Sequence, residues 1–183
     1  LRAKYLGEIR AGVGASRFYQ STGTPGYIPL AIANGDSPTR NWGASVRACP
    51  DPAPLEFEEL LRWRVRRMAC WQCPIACWGT CRVDYGGRTI EAHQPEYETG
   101  AAFGSLVLNN DYPSIIRAND LCNRYGLDTI SAGTCVAFAI ECFEQRLIGP
   151  ADTGGLALAW GDHRAMVAML EKIARREDFG DAL

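Results

Sequence analysis

The chain has 183 residues, of which 47% are hydrophobic and 22% charged, and its formal net charge is −2. This composition is typical of a globular domain with one core, and the near-neutral charge argues against a nucleic-acid-binding face. No stretch approaches the roughly 20 apolar residues of a membrane span, since the most apolar run, 134–140, ends at Glu141. The first residue is not Met and the last five resemble the middle of an element, so we expect a fragment of a longer chain.

The first fifty residues show short elements separated by turns. Residues 1–13 have weak helical periodicity, and residues 21–26 form a turn cluster that is followed by a short apolar segment, 27–33. The stretch 37–43 reads as a loop, and so does 49–54, where three prolines prevent regular structure.

A helix is predicted after Pro54, because Phe57, Leu61, Val65 and Met68 are spaced by four, four and three residues. Basic residues crowd its predicted last turns, where cations are favoured by the helix dipole. They could supply a positive field to the cysteines that follow, but a solvated helix face is the favoured interpretation. These residues are Arg62, Arg64, Arg66 and Arg67.

The rest of the chain predicts one hairpin and four helices. Residues 82–85 and 88–90 are joined by Gly86-Gly87, the signature of a β-hairpin. Helical periodicity then dominates, with glycine and proline breaks. The fold class is therefore mainly α, a single multihelical domain with one small β-hairpin after the cysteine motif. The predicted helices are 95–107, 111–125, 128–146 and 161–177.

The chain has eight cysteines, and three of them form the motif C-x2-C-x3-C at Cys70, Cys73 and Cys77, with Cys81 four residues further on. Such spacing lets thiolates converge on one inorganic centre and favours a [4Fe–4S] cluster in a reducing, cytoplasmic compartment. Zinc usually needs a second short pair of ligands, and a thioredoxin-like site needs a βαβ unit; neither pattern is present. Disulfides or a free-thiol cluster are weaker alternatives.

The fourth ligand of such a cluster stays open. Cys81 could supply it, although four ligands within twelve residues make a tight arrangement, and a distant cysteine is equally compatible. The others are Cys49, Cys122, Cys135 and Cys142. Of these, Cys135 and Cys142 lie on an apolar helix and are predicted to be core residues.

Two further motifs could serve a polar cofactor. The start of a predicted helix carries His93, Glu96 and Glu98, and Pro95 suits its first turn. Either glutamate could accept a proton in a dry pocket and His93 could donate one, or the acids could only favour the helix dipole. Residues 123–129 form a helix–Gly126–helix corner with Asp128 as N-cap, which could also present backbone N–H groups and a carboxylate.

Together these segments resemble the tungsten-containing aldehyde:ferredoxin oxidoreductase family, and the chain looks like the middle helical domain of its large subunit. The resemblance rests on Gly23–Gly26 with Pro38–Asn41, the C-x2-C-P-I-x-C motif, the P-E-Y-E-T run 95–99, the segment 121–131 and the closing segment 170–181.

The resemblance implies specific roles for these residues. Cys70, Cys73 and Cys77 would hold a [4Fe–4S] cluster whose fourth ligand comes from a later domain. A glutamate near the metal would fall on Glu96 or Glu98. The pterin-contacting motif would fall on Asn123, Gly126, Leu127 and Asp128, with Asn in place of the family's first Asp, which loses a charge.

The implied cofactors are the cluster and a tungsten or molybdenum bis-pyranopterin. The implied reaction is oxidation of aldehydes to carboxylic acids, with electrons leaving to ferredoxin or another iron–sulfur subunit. Reduction of aryl-CoA thioesters occurs in the same family and is an alternative. The remaining domains of the enzyme would be needed, so the fragment alone is expected to be inactive. A non-catalytic iron–sulfur or zinc module is the competing hypothesis.

Overall fold

The computed structural model describes residues 1–45 and 53–183, so Cys49 lies outside the described residues. Helices dominate these residues, as the periodicity predicts. The helices are α1 (Arg2–Arg10), α2 (Ala15–Thr22), α3 (Ile28–Asn34), α4 (Phe57–Leu61), α5 (Tyr97–Phe103), α6 (Tyr112–Tyr125), α7 (Thr129–Glu144), α8 (His163–Arg175) and α9 (Phe179–Ala182), with short 3-10 turns at Thr24–Tyr27, Ala53–Leu55 and Ser105–Val107.

A three-stranded antiparallel sheet stands where the sequence predicts only a hairpin. Its strands are β1 (Arg64–Met68), β2 (Trp78–Tyr85) and β3 (Arg88–His93), in the order β1-β2-β3. The predicted hairpin is confirmed as β2 and β3, with Tyr85 opposite Arg88 across the Gly-Gly turn.

The helix predicted through Met68 is wrong beyond Leu61. Leu61 and Val65 are 40% and 49% exposed, so the apparent apolar stripe is not a buried helix face. Residues 64–68 instead pair with β2, where Met68 lies opposite Trp78. Arg62 alone stands at a helix end, as the C-cap of α4, because the other three arginines lie on β1.

The core forms between the sheet and the long helices. α6 packs against α8, β2 and β3, and α5 packs against α7. Ile115, Ile116, Phe103 and Leu170 are completely buried there, and each side chain of this kind contributes about 1.5–3 kcal/mol.

One aspartate caps the N-terminus of each of the three long helices α6, α7 and α8. Asp111, Asp128 and Asp162 each accept hydrogen bonds from backbone N–H groups of the first turn. Gly126 ends α6 with φ 71° and ψ 29°, the left-handed conformation that glycine adopts without strain. The predicted helices at 111–125, 128–146 and 161–177 are thus confirmed to within a few residues, while 95–107 divides into α5 and a 3-10 turn.

Close backbone approach fixes α7 against α5. A Cβ added to Gly133 would lie 2.7 Å from the Cβ of Ala102.

Across the described ranges, no single helix is long and apolar enough to cross a bilayer. By length and composition α6 and α7 together would qualify, but they are bent by 118° at their junction.

Candidate functional site

The cysteine motif forms the connection between β1 and β2, which we call the cysteine loop (residues 70–77). Its first turn is closed by a hydrogen bond from Cys73 N to Cys70 O, 3.0 Å long. Gln72 and Ala76 have φ of 57° and 54°, a conformation uncommon for residues other than glycine. Each directly precedes a cysteine, so the backbone turns sharply before Cys73 and before Cys77.

Arg67 of β1 fixes the far end of this loop. Its guanidinium donates to the carbonyl oxygens of Ala76 at 2.8 Å and Ile75 at 3.1 Å. One of the arginines assigned to a solvated helix face is therefore a structural part of the cysteine loop.

The three motif cysteines share one electrostatic environment with Glu96. Burial raises the pKa of the Cys77 thiol, and the negative charges of Glu96, Cys73 and Cys70 raise it further. Across residues 1–45 and 53–183, no three His, Cys, Asp or Glu side chains are grouped around a point where one metal ion could bind. A four-iron cluster places each thiolate on a different iron, so its ligands need not meet at one point.

The other described cysteines lie elsewhere. All seven in the described ranges are free thiols. Cys81 is fully buried in the core, where burial raises its pKa to about 12 although Arg64 lowers it. Cys122 is also in the core and its pKa is likewise raised to about 12 by burial. Cys135 and Cys142 are half-buried on α7, less deeply than the prediction of core residues implied.

The structure separates the two glutamates of the acidic motif. Glu96 is half-buried at the N-terminus of α5 and accepts a hydrogen bond from the Thr24 hydroxyl, which in turn accepts from Tyr97 N at 2.9 Å. Glu98 is exposed on the first turn of α5. Glu96 is therefore the more buried of the two glutamates, and it is the one whose charge acts on the Cys77 thiol.

His93 has a well-defined structural environment at the end of β3. Its ring stacks on Trp78 with centroids 4.3 Å apart, and its Nδ1–H donates to the Gln94 carbonyl at 2.6 Å. The ring is thereby held in one orientation, with Nε2 as the remaining nitrogen.

Gly23 and Gln94 border the cysteine loop. Gly23 belongs to the predicted turn cluster 21–26, but no sequence pattern assigned either residue a role at the loop. A Cβ at residue 23 would lie 2.3 Å from the carbonyl oxygen of Cys77 and 3.2 Å from Gln94 Nε2. Gln94 is fully buried, and its Nε2 has no hydrogen-bond partner among the described residues. The segment before α3 thus reaches the cysteine loop only because residue 23 lacks a side chain.

The helix corner at Gly126 is connected to this region by hydrogen bonds. Asn123 Nδ2 donates to Asn119 Oδ1 at 3.3 Å, and Asn119 Nδ2 donates to the His93 carbonyl at 2.8 Å. Thr99 of α5 donates to Thr129 of α7 at 2.9 Å. The corner and the acidic motif therefore belong to one connected part of the molecule.

The corner itself presents an exposed polar surface. Asn123, Gly126 and Asp128 are exposed and Leu127 is half-buried. Asp128 Oδ2 accepts from Ser131 N at 2.7 Å, and this hydrogen bond lowers the pKa of the carboxyl.

A family model described as "Aldehyde ferredoxin oxidoreductase, domains 2 & 3" matches residues 1–183. The chain belongs to this family. A tungsten-containing aldehyde ferredoxin oxidoreductase of Pyrococcus furiosus is 34% identical over 179 residues, which cover 94% of this chain and 27% of the relative. That of Pyrococcus horikoshii is 35% identical over 176 residues, covering 94% and 28%. The resemblance inferred from the motifs is thereby confirmed.

Other relatives extend the family. The aliphatic sulfonate oxidoreductase, WOR-like subunit, of Pyrococcus furiosus is 28% identical over 165 residues, covering 88% of this chain and 26% of the relative. The fold resembles a chain of the active site complex BamBC of benzoyl coenzyme A reductase, with a TM-score of 0.62 and 23% identity over 82% of this chain and 22% of that one. The chain spans about a quarter of the length of these relatives, and its place as a middle domain stays a prediction.

Proposed function

We propose that this chain is part of a tungsten or molybdenum bis-pyranopterin oxidoreductase that oxidises aldehydes to carboxylic acids and passes the electrons through a [4Fe–4S] cluster to ferredoxin or another iron–sulfur subunit. The observation that carries the proposal is the cysteine loop of this family member, on which the three free thiols of Cys70, Cys73 and Cys77 lie between two paired strands. Aldehydes are favoured as substrates because the relatives with 34–35% identity are aldehyde ferredoxin oxidoreductases.

The residues around the cysteine loop fit an iron–sulfur cluster. Three thiols on one loop match the sulfur ligands that iron–sulfur clusters use. A buried N–H donor without an acceptor borders the loop at Gln94, and only a glycine fits at residue 23. When bound, such a cluster supplies single-electron transfer.

We place the fourth cluster ligand outside residues 1–183. Cys81 is fully buried among the core residues and not on the cysteine loop, and burial raises its pKa to about 12. Relatives about four times as long have further domains that could provide the ligand. These domains are also needed to complete the pterin and substrate sites.

Glu96 is the proposed proton acceptor. Oxidation of an aldehyde with water releases two protons and two electrons, and a carboxylate near the reacting atoms can take up a proton. Thr24 fixes the orientation of the Glu96 carboxylate. Glu98, which is exposed on the first turn of α5, favours the start of that helix through its charge.

The corner around Gly126 is the proposed contact surface for one pterin. Gly126 adopts the left-handed conformation and is exposed, and a Cβ added there would meet no atom within 4 Å. Asp128 offers an exposed carboxylate that also caps α7, and Asn123 offers its carbonyl oxygen, since its Nδ2 is engaged with Asn119. Asn at residue 123 keeps an acceptor but carries no charge.

Metal content and turnover of the full-length protein test this function. We expect tungsten or molybdenum together with iron and acid-labile sulfide, and aldehyde-dependent reduction of ferredoxin. Glu96→Gln should reduce kcat about 10²–10⁴-fold, the usual contribution of a general base. Glu98→Gln is the matched control and should have a small effect.

Iron and sulfide without tungsten or molybdenum would support a non-catalytic electron-transfer module, and zinc alone would support a structural module. Turnover of aryl-CoA thioesters but not aldehydes would replace the proposed substrate.

A further inference from the structure

Positive charge is concentrated in the segments around the cysteine loop. Residues 3–22, which cover most of α1 and all of α2, and residues 64–77, which cover β1 and the cysteine loop, together contain six basic residues and one acid, Glu8. The chain as a whole has a net charge of −2, so the charge is unevenly distributed. The six basic residues are Lys4, Arg10, Arg17, Arg64, Arg66 and Arg67.

The two segments meet at a groove beside the cysteine loop, which we call the basic groove. It is lined by Arg10 of α1, Gln20 of α2, Arg67 of β1 and residues 74–76 of the loop, and none of the described residues that line it is acidic. Arg17 lies three residues before Gln20 on α2, which places it on the same face of that helix. The groove therefore combines positive charge with direct contact to the cysteine loop.

The arginines of this surface are not neutralised by neighbouring carboxylates. Arg10, Arg17 and Arg67 are exposed, and none of them has an ion-pair partner within residues 1–45 and 53–183. Arg67 donates to two carbonyl oxygens of the loop, which holds its charge at that position. Unpaired guanidinium groups on a surface attract and orient an anionic partner.

An exposed aromatic residue of the cysteine loop adds an apolar contact. Trp71 directly follows Cys70, and its side chain is 91% exposed. Arginine and aromatic residues are the types enriched at protein–protein interfaces. The loop thus carries both kinds of contact next to the proposed cluster ligands.

We propose that the basic groove and Trp71 form the docking surface for a small acidic iron–sulfur protein that takes electrons from the cluster. The inference rests on the proposed function, because the cluster is the source of the electrons, and it adds the location of the contact and the charge of the partner. Each encounter moves one electron, which oxidises the reduced cluster and reduces the partner. An acidic partner that binds here is brought directly to the loop that carries the proposed cluster ligands.

The unpaired charges favour a transient partner over a further domain of the same chain. A permanent interface would bury these guanidinium groups, and burial of a charge is costly unless it is paired. Transient electron-transfer complexes instead use small interfaces and depend on complementary charge for fast association.

The test is stopped-flow mixing of the full-length protein, reduced with dithionite and freed of excess reductant, with an oxidised acidic [2Fe–2S] ferredoxin. Reduction of the ferredoxin is followed by its visible absorbance at several ionic strengths. For the wild type we expect the second-order rate constant to fall as the ionic strength rises. Arg10→Gln/Arg17→Gln should lower it about tenfold at low ionic strength and weaken its salt dependence. Trp71→Ala should lower it at every ionic strength, because an uncharged contact is lost.

Arg88→Gln is the matched control. Arg88 is an exposed arginine that has no ion-pair partner within the described ranges, and it follows the Gly-Gly turn at the end of the sheet remote from the cysteine loop. Its rate constant should equal that of the wild type.

A wild-type rate constant that does not depend on ionic strength, as expected if a further domain covers the groove, would overturn the inference and leave the proposed function intact. An unchanged rate in Arg10→Gln/Arg17→Gln, with iron and sulfide at wild-type levels, would also overturn it. If that variant loses its cluster, the salt dependence of the wild type decides. Absence of iron and sulfide from the wild-type protein would instead overturn the proposed function.

Discussion

Replacing Gly23 with alanine should disturb the cysteine loop from a position about fifty residues away in sequence. Gly23 has φ 67° and ψ −164°, a region that essentially only glycine occupies, and placing alanine there costs about 1–3 kcal/mol. The new Cβ would also lie 2.3 Å from the Cys77 carbonyl oxygen. Because that neighbour is backbone, it must move, and overpacking of this kind costs about 1–3 kcal/mol more.

Gly14→Ala is the matched control. Gly14 has φ 61° and ψ −139°, so alanine is strained there as well, but its Cβ would meet no atom within 4 Å. The two variants therefore share a backbone penalty of about 1–3 kcal/mol and differ in the contact with Cys77.

Hydrogen exchange of the full-length protein, together with iron and acid-labile sulfide analysis, separates these effects. Gly23→Ala should speed exchange in the segment 19–34 and in the cysteine loop, and should lower the iron content. Gly14→Ala should speed exchange only near the junction of α1 and α2 and should keep its iron. Wild-type exchange and iron content in Gly23→Ala would refute the close contact between residue 23 and the cysteine loop.

Three further predictions follow from the packing, the helix caps and the free thiols. Gly133→Ala should destabilise the fold by about 1–3 kcal/mol, because the new Cβ would overlap with α5. In Gly7→Ala the Cβ meets nothing within 4 Å, so this variant should stabilise α1 by about 0.5–1 kcal/mol. Hydrogen exchange measures both effects, and slower exchange in Gly133→Ala would contradict the first. Asp128 has a lowered pKa, so its stabilisation of α7 is present at neutral pH and is lost as pH falls through the native pKa. Asp128→Ala should speed hydrogen exchange in the first turn of α7 at pH 7 and have a smaller effect at acid pH, and an equal effect at both would be inconsistent with the cap. Cys77→Ser should lose iron and Cys81→Ser should keep it, measured as iron per chain; iron loss only in the second variant would reverse the assignment of ligands.

Local signals in the sequence were sufficient for much of the helical fold. Aspartate caps and a single glycine corner fix α6 and α7, because these interactions join residues only a few positions apart. The hairpin was equally accessible, since the Gly-Gly turn determines which strands pair.

Strand β1 was missed because its residues repeat at helical spacing by coincidence. Val65 and its neighbours are exposed, so burial does not impose the period of two that marks most strands. What holds them in a strand is pairing with β2, a contact that the sequence pattern does not encode locally.

The cysteines of the candidate site are visible in the sequence, but the residues that contact and orient its side chains are not. The spacing of the cysteines makes the motif visible, whereas Thr24 lies 72 residues before the glutamate that it contacts. Without that contact, Glu96 and Glu98 are equivalent in the sequence. Gln94 stands between His93 and the P-E-Y-E-T run, but only the structure shows that its side chain is buried and its amide unpaired among the described residues.

Mössbauer spectroscopy of the ⁵⁷Fe-enriched full-length protein tests the central claim most directly. If a [4Fe–4S] cluster is bound by Cys70, Cys73 and Cys77, the wild-type protein shows the spectrum of a four-iron cluster. Replacing Cys73 by serine then abolishes that spectrum. A protein that binds zinc and no iron, or a four-iron spectrum that persists unchanged in Cys73→Ser, would contradict it.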